Sequence, residues 1–437
     1  MNADLVFLRD KILAQHPHPF LYGNEDRWLA LQRSIARHLD APLDRIEFYR
    51  RIAPLAAFLR DGHTLVNPPL EDFHAYADAH GVFPLQVRFV DRHLIVAANA
   101  STDARLDAGT EIVSIDGRAV KRVVADYREL INDVGPLYDV YARLFRELYW
   151  LRYGSADTFE IGYASPRAGS GTVTVAAHRY QRSEFQSYRP EGDAHAFEML
   201  APDVGLLTVN SFSPSDDYDA FLERSFAALR AEHARGLIID VRRNGGGSGR
   251  LAQSLMSYLT DVKYPQIGAF YVKVTDDLKA LYAQGTTHTD EDTRRLVEAN
   301  RSGTLVDGLR DSGPVFATPA PHADVFRGDV AVLTANNTFS AAAMFAAYFK
   351  CSGRGKVVGE EPGQATQFVA DAVPFTMPHS ELTFGVSFSE IHMPCERSYF
   401  HGIRPDVRVS GGRAPATAAG AAGDPVVAAA LEVLAKH

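Results

Sequence analysis

The chain has 437 residues, 46% hydrophobic and 23% charged, with a net charge of −9 and a pI near 6.0. That mix excludes a disordered, collagen-like or coiled-coil chain, and the length corresponds to two to four domains at roughly 100–200 residues each. The acidic balance and the lack of any long Lys/Arg run exclude nucleic acid as the principal partner. No stretch reaches the roughly 18 apolar residues that a membrane span requires. Two cysteines, Cys351 and Cys395, are too few for a disulfide framework and leave one bridge or two free thiols open. Met1-Asn2-Ala3-Asp4 leads straight into a periodic apolar pattern, without the basic and apolar regions of a leader. The sequence therefore reads as cytosolic, or as a chain whose leader has been removed.

Residues 1–66 read as helical. Leu5, Leu8, Ile12 and Leu13 make one apolar stripe, Trp28, Leu31, Ile35 and Leu39 a second, and Phe48, Ile52, Leu55, Phe58 and Leu59 a third. His16-Pro17-His18-Pro19 ends the first element, because proline cannot extend a helix. Gly62, in Asp61-Gly62-His63-Thr64, is the expected stop of the last. From residue 84 the period changes to two. Leu85, Val87 and Phe89 alternate with polar residues, Leu94 to Ala97 follow, and Gly109 to Gly117 is a strand closed by an Asp-Gly turn. Residues 121–153 read as helical and aromatic-rich. Phe159 to Tyr163 and Val173 to Val175 read as strands.

After about residue 200 strands and helices alternate. Val204 to Val209, Leu237 to Val241 and Val330 to Leu333 are strands; Tyr218 to His233, Leu251 to Leu259 and a segment from Ser340 are helices. A βα series of this kind predicts a largely parallel sheet covered by helices. Residues 411–423, rich in Gly, Ala and Pro, read as a mobile linker. Asp424-Pro425 then starts a last helix, with Asp as N-cap and Pro at the first helical position.

Two strand ends carry the chemistry. Asp240-Val241-Arg242-Arg243-Asn244-Gly245-Gly246-Gly247 leaves a buried strand through three glycines, which either make a tight turn or aim backbone N–H groups at an anion or oxyanion. Asn336-Asn337-Thr338-Phe339-Ser340-Ala341-Ala342-Ala343 leaves another buried strand and enters a helix. Ser340 there is either a plain N-cap or a nucleophile at a helix N-terminus.

Taken together, these runs resemble the C-terminal processing and tricorn-type serine peptidases. Val357-Val358-Gly359-Glu360 and the closing Gly402-Ile403-Arg404-Pro405-Asp406 resemble that family too. The Gly109–Gly117 segment looks like the end of its PDZ-like domain, and Asp61-Gly62-His63-Thr64 like the motif of its histidine-using members. The resemblance implies an α/β fold. It assigns an N-terminal helical bundle to 1–75, a PDZ-like domain to 80–185, a ClpP/crotonase-like catalytic core to 190–410, and a linker with a C-terminal helix to 411–437. It implies Ser340 as nucleophile, His63 as base, and the backbone N–H groups of Gly246 and Ala341 as oxyanion hole. The lysine that tail-specific members carry downstream of the serine falls on Ala365, and Lys350 and Lys356 come too early to replace it. His16, His18, His379, His392 and His401 are the other histidines to weigh, with His401 the main rival.

Glu396 is the acid nearest the family's third position, where Tyr399 stands; Glu360, Glu361 and Glu390 are alternatives. Cys351 reads as packing. His392-Met393-Pro394-Cys395 with Glu396 lacks the second ligand cluster of a metal site, so neither metal nor cofactor is expected. The implied substrates are peptides or proteins, and the implied compartment is periplasmic or secreted if a leader was removed. A non-catalytic binder of peptides or apolar ligands on the same fold is the competing reading, and a PDZ-like adaptor a third.

Overall fold

The computed structural model describes residues 1–437 apart from 40, 91, 136, 181–194, 216, 286–290, 311–314, 318–324, 411–422 and 436–437. The chain divides into two compact units, both mixed in helix and strand. One comprises Met1–Tyr188, Lys273–Leu278 and Asp371–Phe388; the other comprises Arg189–Val272, Lys279–Ala370 and Ser389–His437. Among the described residues no helix is long and apolar enough to cross a membrane. The expected linker, except its last residue, and the expected boundary between 185 and 190 lie outside the described residues.

The first unit begins with three helices, Asn2–Gln15, Glu25–Ala36 and Arg45–Ala57. Leu5, Leu8 and Ile12, Trp28 and Ile35, and Phe48, Ile52 and Leu55 are buried in one cluster, as their helical spacing dictates. Leu13 is exposed instead. The buried Trp28 indole donates to the Leu55 carbonyl at 2.8 Å, so its one polar atom keeps a partner. Asp44 and Glu47 form a capping box at the start of the third helix. The chain turns left-handed at Arg60 (φ +57°) and not at the expected Gly62, whose N–H donates to Asp133 at 2.9 Å.

An antiparallel sheet follows, in the order Leu85–Val90, His93–Asn99, Glu111–Ile115, Thr158–Ser165 and Gly169–Ala176. Asp116 (φ +49°) and Gly117 (φ +73°) are both left-handed and close the turn that pairs Ile115 with Arg118. Such a two-residue turn needs positive φ at both positions, which Asp-Gly tolerates. Leu85, Val87, Phe89, Leu94, Val96 and Ile112 join the same cluster as the three helices. The division expected at 75–80 therefore falls inside this unit.

In the second unit the sheet order is Val407–Arg408, Lys356–Gly359, Asp329–Thr334, Gly236–Asp240, Val204–Val209 and His195–Ala201. Every junction is parallel except the last. Gly236–Asp240 is buried at every residue. Leu237 and Ile239 pack with Val330 and Val332 on one face, against the helices Tyr218–Ala231, Gly249–Ser257 and Ala341–Ser352. Ile238, Ala331 and Leu333 face the other way, against Val426, Val427 and Ala430 of the helix Pro425–Leu434. A strand covered on both faces has no polar side, hence the unbroken apolar run in the sequence. Each such side chain contributes about 1.5–3 kcal/mol of burial free energy.

Two ties complete this unit. Arg242, 4% exposed, pairs with Asp240 and Asp424, each at 2.7 Å, and Asp424 also caps the last helix through the Val426 N–H at 2.9 Å. The strand end that leads to the glycines is thus bonded to the helix on the far face of the sheet. The second tie is covalent: Cys351, in the helix Ala341–Ser352, is disulfide-bonded to Cys395, with Cα atoms 5.9 Å apart and a sequence separation of 44. The bridge closes a long loop, and a closed loop restricts the unfolded chain. Replacing both cysteines by serine is expected to lower the unfolding free energy of this unit by about 2–4 kcal/mol, measured by urea unfolding. The unaltered chain should show the same loss with reductant present.

Candidate active site

Adjacent parallel strands bring the two sequence runs together. Asp240 is in register with Leu333, so Gly236–Asp240 and Asp329–Thr334 end side by side. Buried Thr338 then sews the two exits: its hydroxyl donates to the Val241 carbonyl at 2.9 Å and accepts from the Ala335 N–H at 3.0 Å. The Phe339 N–H donates to the Asn244 carbonyl at 3.1 Å, and the Asn337 side chain donates to the Arg243 carbonyl at 2.8 Å. These bonds fix the glycine loop against the serine loop.

Ser340 stands at the head of the helix Ala341–Ser352 but does not cap it: its side chain makes no cap hydrogen bond. Its backbone lies at φ +49°, ψ −124°, a region that side chains of L-residues rarely enter and that costs on the order of 1–3 kcal/mol. The serine thus occupies the N-cap position without serving as a side-chain cap. Ser340 is half-buried, and buried Ala341, Ala342 and Ala343 follow it.

The glycines are there for close approach. A Cβ on Gly246 (φ +106°) would lie 2.7 Å from the Ser340 Cβ and 3.1 Å from the Ala341 nitrogen. A Cβ on Gly247 would lie 2.3 Å from the Phe212 carbonyl oxygen, whereas one on Gly245 would meet open space. Ser340, Gly246 and Ala341, the expected nucleophile and oxyanion donors, are therefore neighbours. The Gly246 N–H itself donates to the Asn244 side-chain oxygen at 2.9 Å, and the Asn244 amide donates to the Val209 carbonyl at 3.1 Å. Asn244, fully buried, is a partner of the glycine loop that sequence reasoning passed over. Its only signal was its place directly before the glycines.

Other expected candidates in this unit are engaged elsewhere. Glu396 accepts from the Lys350 ammonium at 2.9 Å and from the Arg404 N–H at 3.3 Å, beside the Cys395 bridge. Lys350 is a partner of that acid, and the Ala365 side chain, in the lysine's place, is buried. The His401 side chain is 61% exposed and 3.3 Å from Glu361. His392 lies 2.6 Å from buried Glu390, which also accepts from the Tyr399 hydroxyl at 2.8 Å. Gln367 stands 3.1 Å from the other ring nitrogen of His392. Among the described residues no group of three or more His, Cys, Asp or Glu side chains is arranged to hold a metal ion.

His63 lies in the first unit, just after the left-handed turn at Arg60. Its backbone N–H donates to Asp61 Oδ1 at 2.9 Å, and its ring Nδ1 is 3.7 Å from the same oxygen. Asp61 is buried and accepts the Ser387 hydroxyl at 2.7 Å; Ser387 in turn donates its N–H to the Thr64 hydroxyl at 2.9 Å. Burial opposes a charged His63 ring, but contact with Asp61, its charge, and the charges of Asp133 and Asp371 outweigh it. The His63 pKa is raised above the ordinary histidine value. Asp61 is driven the other way: burial would raise it, but contacts with His16 and His63 hold it far below the usual carboxylate range. Burial, then the charge of Asp61, pushes Asp133 up to about 7. The acid that faces His63 within its own unit is therefore Asp61.

Residues 203–409 match the model of Peptidase family S41. Solved structures similar to the chain include a mutant of CPAF, at TM-score 0.65 and 16% identity, covering 94% of this chain and 93% of that one. Mature CPAF complexed with lactacystin gives TM-score 0.63 at 16% identity, covering 100% and 97%. A further structure of mature CPAF gives 0.62 at 15%, covering 100% and 96%. At these identities the likeness is one of fold. No curated protein matches the sequence.

The glycine geometry separates two neighbouring substitutions. Gly246→Ala must displace Ser340 and adopt a left-handed backbone, so it should cost about 1–3 kcal/mol and remove hydrolytic activity. Gly245→Ala, facing open space, should change stability by no more than about 0.5 kcal/mol and keep activity. Unfolding curves and substrate turnover of the two variants check this; equal behaviour would contradict the close-approach argument.

Proposed function

We propose that the chain, a serine peptidase whose residues 203–409 belong to peptidase family S41, cleaves peptide bonds through an acyl-enzyme on Ser340 with His63 as general base. The observation that carries the reading is Ser340 itself: a helix-start serine that caps nothing, in a strained backbone, with a glycine pressed against it. Strain of this kind persists only where the surroundings impose it, and it clusters at reacting groups.

In this reading the Ser340 hydroxyl attacks the scissile carbonyl while His63 takes its proton through Nε2. The carbonyl oxygen becomes an oxyanion, received by the backbone N–H groups of Gly246 and Ala341. Each such donor contributes about 2.7–4 kcal/mol to lowering the barrier. The Gly246 N–H must then be shared with, or withdrawn from, Asn244. His63 next protonates the departing amine, and water repeats the sequence in reverse to free the enzyme. Asp61, rather than the expected Glu396, holds the His63 proton on Nδ1 and stabilises the imidazolium. The Cys351–Cys395 bridge supports an oxidising compartment, in keeping with a periplasmic or secreted chain.

Ser340→Ala should abolish peptide hydrolysis without loss of fold, and His63→Ala should lower turnover by about 10³–10⁴ or more. Acylation needs the neutral imidazole. Its rate should therefore rise with pH through a group titrating above the ordinary histidine value, because the surrounding carboxylates raise His63. Asp61→Asn should move that midpoint down. Full activity in either alanine variant would sink the corresponding assignment.

A further inference from the structure

Asp61 serves two histidines. Its Oδ1 takes the His63 backbone N–H and faces the His63 ring. Its Oδ2 takes the Ser387 hydroxyl at 2.7 Å and lies 3.3 Å from Nε2 of His16, a residue 3% exposed at the end of the helix Asn2–Gln15. The other ring nitrogen of His16, Nδ1, accepts the His18 backbone N–H at 3.0 Å. A ring nitrogen that accepts carries no proton, so the neutral His16 ring carries its proton on Nε2, facing Asp61. The tautomer is set by the His18 N–H that Nδ1 accepts just past the helix.

We propose that His16 is a positioning residue for His63, acting through Asp61. This rests on the reading of His63 as the base. A carboxylate bonded at Oδ2 by the Ser387 hydroxyl, with His16 Nε2 3.3 Å away on the same side, is kept from turning, so Oδ1 stays on the His63 side. That keeps the His63 proton on Nδ1 and leaves Nε2 to accept. An unconstrained neutral imidazole has no such preference imposed on it, and a base with its proton on the wrong nitrogen cannot accept from a serine. The charged groups around His63 are Asp61, Asp133 and Asp371; His16 faces the array from the first helix's end. The acidic surroundings favour a charged ring but do not choose the nitrogen of the neutral one. The His16–Asp61 contact makes that choice.

The test uses the full chain with ¹⁵N-labelled histidine and reads the His63 ring nitrogens above its pKa, together with kcat and KM. His16→Gln places an amide nitrogen about where Nε2 was and keeps the donor to Asp61. His16→Asn reaches the His18 N–H but not Asp61, and His16→Leu removes both contacts. The unaltered chain and the Gln variant should show the proton on His63 Nδ1, with kcat within about threefold of each other. The Asn and Leu variants should shift toward the Nε2–H form and lose about tenfold or more in kcat, with KM within about twofold. If the Leu variant does not fold, the comparison of Asn with Gln decides. Identical ring signatures and kcat in the Asn and Gln variants would overturn the proposal. Ser340-dependent hydrolysis that survives in His63→Ala overturns the base assignment instead, whatever the His16 variants show.

Discussion

The backbone at Gly246 passes so close to Ser340 that no side chain fits between them. Most of the second unit can be read as the means of holding that approach. Two parallel strands must end in register, which Asp240 and Leu333 do. Their exits must be bonded to each other, which Thr338, Asn337 and the Phe339 N–H to Asn244 carbonyl bond do. The strand end must not slide, and the buried Asp240–Arg242–Asp424 bonds fasten it to the last helix. Removing Arg242 from this buried set leaves two carboxylates uncompensated, at a cost of about 3–5 kcal/mol. Serine in a left-handed backbone is the result of this construction, and a reacting hydroxyl is what the construction can use.

The surroundings of His63, the proposed base, are an electrostatic problem. Asp61, Asp133 and His16 are buried close to one another in the first unit. Two carboxylates that share a site cannot both ionise easily. Asp61, with two histidines and a hydroxyl as partners, keeps its charge. Asp133, whose contacts are the Gly62 and Val134 N–H groups, is the one pushed up to about 7. His63 is left beside a carboxylate that stays charged across the neutral range, the condition under which an imidazole is both oriented and made more basic.

Much of this was legible in the sequence, for physical reasons. Leu237 to Val241 reads as a strand buried on both faces because both faces are buried. Asp116-Gly117 reads as a hairpin turn because the turn needs two left-handed residues. Ser340, Gly246 and Ala341 were grouped by the family resemblance, and the structure makes them neighbours because the two parallel strand ends lie side by side. Other features were not. The strands Gln367–Thr376 and Thr383–His392 escaped notice. Pro374 interrupts the first, and the buried Ser387, Ser389 and Glu390 of the second hide its alternation. Glu396 was chosen by proximity in sequence to a family motif, but Lys350 and the Arg404 backbone claim it. Asp61 and His16 were invisible as partners because only the fold sets a helix-end histidine beside a carboxylate 45 positions later. Asn244 hid in plain view as a spacer before the glycines.

The most direct measurement is the site of covalent capture. The intact chain, treated with a fluorophosphonate that phosphorylates activated serines, is digested and its adduct located by mass spectrometry. The account predicts a single adduct on Ser340, formed at a rate that rises with pH as His63 loses its proton, slowed by orders of magnitude in His63→Ala and absent in Ser340→Ala. An adduct on another residue, or hydrolysis of peptides by a chain in which Ser340 cannot be labelled, would contradict it.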